Sequence, residues 1–374
     1  MKKMLKWLLA MVLRLLHRKP VILFESAPDF ADNTYPVYEE LCRRGLDQKY
    51  KLVWDCAGNV APEGMCCVFP HKGFKEKLKK LYYMAGARCM VSCNRFLLPM
   101  HKGQTAFYLT HGTPLKSVRG YYTVPGEITY CLAASKGVEK VTGYELNVAP
   151  EKMFSLGFPR NDLFAKAPAD VKKMLGTDCD KVLVWYPTFR QHKNGITAGS
   201  GKALPVIHDG DAATKLNEVA KAQNVLLVLK PHFAQDVSAV RDLQLSNIRF
   251  IDDRFFEEND TTSYGFVGGC DGLITDYSSI YFDYLLTDKP IGLVWEDLEE
   301  YREKPGFAME PEECCAGGRK IYTLDDFEAF ICEVAQNCDP CAEKRRQLCE
   351  KFNYSTDGNN TNRVTEFIIE KAKL

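Results

Sequence analysis

Gly272-Leu-Ile-Thr-Asp-Tyr-Ser-Ser-Ile-Tyr-Phe-Asp283 decides how the rest of the chain is read. An apolar run stops at hydroxyls and a carboxylate and then continues with helical spacing, the pattern of a buried strand feeding a helix. A helix starting near Thr275 or Asp276 leaves the backbone N–H groups around Ser278 and Ser279 as its unpaired donors, with two hydroxyls beside them. Such an end takes an anion. Asp276, Ser279 and Asp283 are spaced three and four apart, so on that helix they share one face. A carboxylate one turn in would repel a phosphate, so Asp283 suits a ligand hydroxyl better. The implied ligand carries a phosphate at one end and a sugar or polyol nearby, as an activated nucleotide diphosphate does. The same residues equally fit a plain core helix capped by Asp276 or Ser278.

Working outward, short apolar runs alternate with helical segments on both sides. Val21–Ser26, Lys51–Cys56, Arg88–Cys93, Thr105–Thr110, Thr129–Ala134 and Met153–Leu156 read as strands, with helices such as Tyr35–Arg44 and Lys75–Ala85 between them. After Gly157-Phe-Pro-Arg-Asn-Asp162 a second series begins. Its strands are Lys181–Trp185, Val225–Lys230, Ile248–Ile251, Gly272–Thr275 and Ile291–Trp295, and its helices include Asp211–Ala222 and Ser279–Leu286. Alternation of this kind builds mostly parallel sheets with both faces covered. The expected fold class is therefore α/β: two doubly wound, Rossmann-like domains facing a cleft, with ligands at the carboxyl ends of the strands. The expected division is residues 1–20 as an amphipathic helix, 21–165 as the first domain and 166–374 as the second with a helical tail. Gln191–Asp209, polar and glycine-rich without a period, reads as a loop near the ligand.

The 374 residues include 46% hydrophobic positions, enough for substantial cores. Lys plus Arg and Asp plus Glu are both 49, so overall charge gives no reason to expect nucleic acid. Fifteen cysteines are scattered and often sit inside apolar strands, as a reduced cytosolic chain would have them. Cys338-Asp-Pro-Cys341 has no second pair or nearby histidines to make a metal site, and neither metal nor cofactor is expected. At the N-terminus, Lys6 and Arg14 leave an apolar core only from Trp7 to Leu13, too short to span a bilayer. A helix lying on an anionic membrane fits, and so does an ordinary helix packed on the first domain.

Three further segments place functional groups just after a strand: Tyr108-Leu-Thr-His-Gly-Thr-Pro-Leu-Lys116, Trp185-Tyr-Pro-Thr-Phe-Arg190 and Leu229-Lys-Pro-His232. Gly112 lets the backbone approach a ligand closely. Of seven histidines, His111 and His232 follow apolar strands beside Gly or Pro, and the other five read as structural or surface residues. Lys116 reads as a surface charge or an acceptor-phosphate ligand, and Arg160 as an ion pair tying the domains together or a ligand.

His111-Gly-Thr-Pro-Leu-Lys116, Gly157–Asp162, Tyr186-Pro-Thr-Phe-Arg190, Lys230-Pro-His232 and Thr275–Asp283 resemble, in order, the motif series of the CDP-glycerol glycerophosphotransferase family, which primes and polymerises teichoic acids. The resemblance implies a GT-B type fold and transfer of glycerol phosphate from CDP-glycerol to an acceptor hydroxyl, with release of CMP. It makes His111 and His232 the catalytic histidines. It matches Ser278, Ser279 and Asp283 to donor-binding positions; Thr188, Arg190, Lys230, Thr275 and Asp276 are further donor-binding candidates, and Gly112, Thr113, Lys116 and Arg160 are expected in acceptor or structural roles. Phe189, Gln191 and Glu310 depart from the family's usual residues, which bears on details of donor binding. The expected partners are CDP-glycerol, a lipid-linked saccharide or polymer and an anionic membrane surface, at the cytoplasmic membrane face. CDP-ribitol as donor, a nucleotide-sugar glycosyltransferase or epimerase of the same fold, and a silent membrane scaffold are the alternatives.

Overall fold

The computed structural model describes residues 12, 19–58, 60–166, 168–188, 204–231, 237–304 and 306–374. The chain divides into two units, the first drawing on the chain up to Thr113, Val118–Asp162 and Tyr354–Leu374, the second on Pro114–Ser117 and Leu163–Asn353.

The first unit holds β1 (Val21–Glu25), β2 (Lys51–Asp55), β3 (Cys67–Val68), β4 (Ala87–Ser92), β5 (Thr105–Tyr108), β6 (Tyr130–Ala133) and β7 (Met153–Ser155). They form a seven-stranded sheet in the order β3-β2-β1-β4-β5-β6-β7. Every neighbouring pair is parallel. β1 shows why: Val21, Ile22, Leu23 and Phe24 are all 0% exposed, as a strand covered on both faces must be. Strand order reverses between β1 and β4, which places the crevice at the carboxyl ends of β1, β4 and β5.

The second unit repeats the plan with β8 (Lys181–Trp185), β9 (Val225–Leu229), β10 (Ile248–Phe250), β11 (Gly272–Thr275), β12 (Ile291–Val294) and β13 (Arg319–Ile321). The order is β10-β9-β8-β11-β12-β13, again all parallel, and reverses between β8 and β11. Its core packs Leu183, Trp185, Leu227 and Ile274 against Leu216 of helix Gly210–Ala222 and Phe330 of helix Leu324–Ala335. The short strands β3 and β13 and helix Lys136–Leu146 add to the elements expected from sequence.

Three expectations are corrected. The end of the helical tail belongs to the first unit, not the second. Helix Asn360–Ala372 buries Val364, Ile368 and Ala372, and its Phe367 stacks on Phe154 at 4.3 Å between ring centroids. Asp162 accepts the helix's first N–H groups, from Asn360 at 2.9 Å and Thr361 at 2.7 Å. Pro114–Ser117 belongs to the second unit, where Leu115 accepts from Ala308 N–H at 2.8 Å and Ser117 donates to Gly306 at 3.1 Å. The last part of the Gln191–Asp209 segment is packed core, with Leu204, Val206 and Ile207 at most 5% exposed. The membrane-associating N-terminal helix lies almost wholly outside the described residues.

Candidate active site

In the first unit the predicted residues converge at the carboxyl end of β5. Thr110 takes a left-handed backbone, φ 51°, with its hydroxyl donating to the Leu132 carbonyl at 3.1 Å, and Gly112 follows at φ 148°. That turn leaves His111 exposed. Its Nδ1 lies 3.2 Å from the Cys93 carbonyl, which can only accept, so Nδ1 carries a proton and, in the neutral ring, Nε2 holds the lone pair. The Tyr122 ring stands edge-on to the imidazole, centroids 6.3 Å apart.

Arg160 is brought to the same turn. Its guanidinium donates to the His111 carbonyl at 3.0 Å and to Asp32 at 2.7 Å. Asn33 extends the bracket, its amide donating to the carbonyls of Leu109 and Thr110 at 3.3 and 3.0 Å and its Oδ1 accepting Arg160 N–H at 3.2 Å. Asp32 lies in the same unit, so this ion pair of Arg160 links loops of one unit. Thr113 is buried, 1% exposed; Lys116, itself part of the second unit, forms an isolated antiparallel bridge with Phe307 of that unit.

Sequence reasoning passed over the group that holds the Asn94–Arg95 turn. Glu25, the last residue of β1, is fully buried and accepts the N–H groups of Asn94 and Arg95 at 3.1 and 2.9 Å. Its other oxygen takes Arg95 Nε at 3.1 Å. Burial pushes the Glu25 carboxyl up, while Arg95 and the two amides oppose the shift. Tyr108 donates to Tyr122 at 2.7 Å and Tyr122 to the Asn94 carbonyl at 2.7 Å, with burial raising both phenols. A carboxylate ending an otherwise apolar buried strand was the signal available in the sequence.

In the second unit the helix after β11 begins later than expected. It spans Ile280–Tyr284 with Ser279 as N-cap, so Asp276 lies before it and shares no helical face with Ser279 and Asp283. Asp276, fully buried, accepts Thr188 N–H at 2.9 Å, Tyr277 N–H at 2.6 Å and the Thr188 hydroxyl. Thr275 donates to the Tyr186 carbonyl at 3.0 Å, so the turns after β8 and β11 are laced together. Ser278 and Ser279 remain half-exposed at the carboxyl end of β11, whereas Asp283 is buried and accepts from Tyr264 at 2.6 Å. Lys230 pairs with Asp253 at 2.9 Å. Arg190 and His232 lie outside the described residues. Two open cavities of this unit, about 650 Å³ along β10 and about 530 Å³ around Glu296–Glu300, are lined by none of the predicted donor residues. Among the described residues, no three His, Cys, Asp or Glu side chains are grouped to hold a metal.

The sequence profile of the CDP-Glycerol:Poly(glycerophosphate) glycerophosphotransferase family matches residues 7–370. The chain belongs to that family. As a member of it, the protein is a glycerophosphotransferase. It is 25% identical to a teichoic acid poly(glycerol phosphate) polymerase of Bacillus spizizenii over 93% of this chain and 92% of that protein. Against the teichoic acid glycerol-phosphate transferase of Staphylococcus aureus the identity is 22%, covering 99% and 98%. The chain spans only 47% of the Staphylococcus epidermidis poly(glycerol phosphate) polymerase and 53% of the Bacillus spizizenii ribitol-phosphate primase. Solved structures of the wall teichoic acid polymerase TagF share the fold, one with TM-score 0.73 at 19% identity, covering 100% of this chain and 97% of that one. A putative UDP-N-acetylglucosamine 2-epimerase from Listeria monocytogenes also aligns, at TM-score 0.58 and 11% identity over 95% and 97%. The architecture alone therefore fixes no chemistry.

Proposed function

We propose that this glycerophosphotransferase moves glycerol phosphate from CDP-glycerol to a hydroxyl of a membrane-linked glycan or teichoic acid acceptor, releasing CMP. The observation that carries the reading is the placement of His111: exposed at a strand's carboxyl end, with Nδ1 committed to the Cys93 carbonyl, so that the neutral ring has its lone pair on Nε2. The acceptor oxygen attacks the β-phosphorus in line as His111 Nε2 takes its proton, a role worth about 10²–10⁴-fold. The bond from that phosphorus to CMP breaks. His232, Arg190, Lys230 and the Ser278–Ser279 turn offset the charge gathering on the departing phosphate. Thr188, Thr275 and Asp276 shape the donor loop through the bonds they make to one another and to Tyr186. Asp283 orients the donor's polyol, and the cations take the place of a metal, so chelation with EDTA leaves the rate unchanged.

The acceptor side belongs at the cytoplasmic face of the membrane. Helix Phe74–Gly86 supports docking on an anionic membrane surface, because Phe74 and Leu78, one turn apart, are 74% and 49% exposed and Lys75 and Lys77 flank them. No helix among the described residues is long and apolar enough to cross a bilayer. The reading is tested by CMP release from CDP-glycerol and from CDP-ribitol with membrane-derived acceptor, comparing wild type with His111→Ala. Release from CDP-glycerol, lost about 10²-fold or more in the variant, is the expected result. Release from CDP-ribitol alone would change the donor, and release from neither would return the site to nucleotide-sugar chemistry.

A further inference from the structure

We propose that Glu25 is a positioning residue that holds His111 in its reactive tautomer through the Cys93–Arg95 turn. The inference rests on reading His111 as the base. The turn follows β4 and offers its Cys93 carbonyl to His111 Nδ1 at 3.2 Å. The contact selects the Nδ1–H form, and a histidine protonated at Nε2 instead has no lone pair there to take the acceptor's proton.

What fixes the carbonyl is the set of bonds around the next two residues. Glu25 Oε2 receives the N–H groups of both Asn94 and Arg95, and Oε1 receives Arg95 Nε. Arg95 is tied onward to the Asp55 carbonyl at 2.7 Å. The Asn94 side chain accepts Ala27 N–H at 2.8 Å, and its carbonyl takes the Tyr122 hydroxyl. Every donor in this set points at an oxygen, and Glu25 supplies the acceptor for three of them. Burying a carboxylate completely is costly unless it is hydrogen-bonded, and here Arg95 and two backbone amides fill three of its roughly four lone-pair sites. Glutamine in its place brings one oxygen and an NH₂ that faces donors, so the turn must shift.

The test uses the full chain labelled with ¹⁵N in histidine, with the His111 resonances assigned by their loss in His111→Ala. In wild type the His111 nitrogens report protonated Nδ1 and basic Nε2. In Glu25→Gln, shown folded by circular dichroism, they move toward the other tautomer. At the same time kcat falls about tenfold to a hundredfold, and KM for CDP-glycerol changes less than about twofold. Glu25→Asp, which keeps the charge but withdraws it by one methylene, is the second variant should the first not fold, and it shifts the nitrogens in the same direction. Unchanged His111 nitrogens in a folded variant overturn the proposal whatever the rate does. A tautomer shift with kcat intact leaves Glu25 as the positioning residue and removes His111 from the role of base.

Discussion

Arg160 is only 7% exposed, and its guanidinium is divided between a carboxylate and the backbone of His111. Both bonds leave from Nη1, which the rigid guanidinium holds at a fixed point, and the shorter, flexible lysine side chain does not bring its ammonium to that point. Arg160→Lys is therefore expected to keep the charge balance with Asp32 yet loosen the His111 turn, lowering kcat about tenfold while the melting temperature falls little. Arg160→Ala also strands Asp32, 12% exposed at its side chain, and should cost about 3–5 kcal/mol in urea denaturation. The difference between the variants, read by kcat and by denaturation midpoint, checks whether geometry or charge dominates. The place of His111 at a strand's carboxyl end was legible in the sequence, because it stands between an apolar run and a glycine. Its supports were not. Asp32 is 128 positions from Arg160, and Glu25 is 70 from Arg95, so only the closed sheet brings them together.

At the scale of elements, periodicity located nearly every strand because parallel strands are apolar along their whole length. It misjudged where the helix after β11 starts. Asp276 reads as a cap from sequence, but its carboxylate is drawn to Thr188 on β8's loop, and the chain reaches Ser279 before turning helical. The tail was misassigned for a similar reason: an amphipathic helix announces an apolar face but not its partner. Gly157 depends on that partner, since its φ is +81° and a Cβ there would lie 2.2 Å from the Asn360 side chain. Gly157→Ala should cost about 2–4 kcal/mol by strain and displacement of Asn360, measured by thermal or urea unfolding. Asp162→Ala, which removes the acceptor for two helix N–H groups, should cost about 1–2 kcal/mol.

Helix Thr34–Arg43, which packs with the returning tail, carries a pH-dependent contribution. Hydrogen bonds from Arg43 and also Arg44 draw the Glu40 carboxyl down from 4.5 to about 2. A carboxyl lowered in the folded state stabilises above its unfolded value, and the gain disappears as pH falls from about 4.5 toward about 2. For a pair screened by solvent the amount is about 0.5–1 kcal/mol. Glu40→Gln should thus lower stability at pH 7 by that amount and match wild type near pH 2, a convergence that denaturation at both values would register.

For the molecule as a whole, 49 basic and 49 acidic residues leave no net charge to pull it to an anionic membrane. On the proposed reading, in which the protein docks on such a membrane, attraction comes from local pattern, and the first two turns of helix Phe74–Gly86 carry the candidate pattern. At 100° per residue Phe74 and Leu78 form a stripe with Lys75 on one side and Lys77 on the other, and all four are exposed. Apolar anchors entering the headgroup layer and cations staying at the phosphates give binding that needs both, with each lysine near the surface worth about 1 kcal/mol. Reversing two charges should weaken binding by more than tenfold, since about 1.4 kcal/mol is already a factor of ten. Lys75→Glu with Lys77→Glu is therefore expected to lose sedimentation with phosphatidylglycerol vesicles, and Phe74→Asp with Leu78→Asp to lose it as well. Wild type should show little affinity for phosphatidylcholine vesicles and should detach from anionic ones as salt rises, because the electrostatic part is screened. CMP release with a soluble acceptor analogue should stay unchanged in both double variants, separating membrane docking from catalysis. Wild-type binding by both variants, with loss only on removal of residues 1–18, would move the docking element to the N-terminal segment.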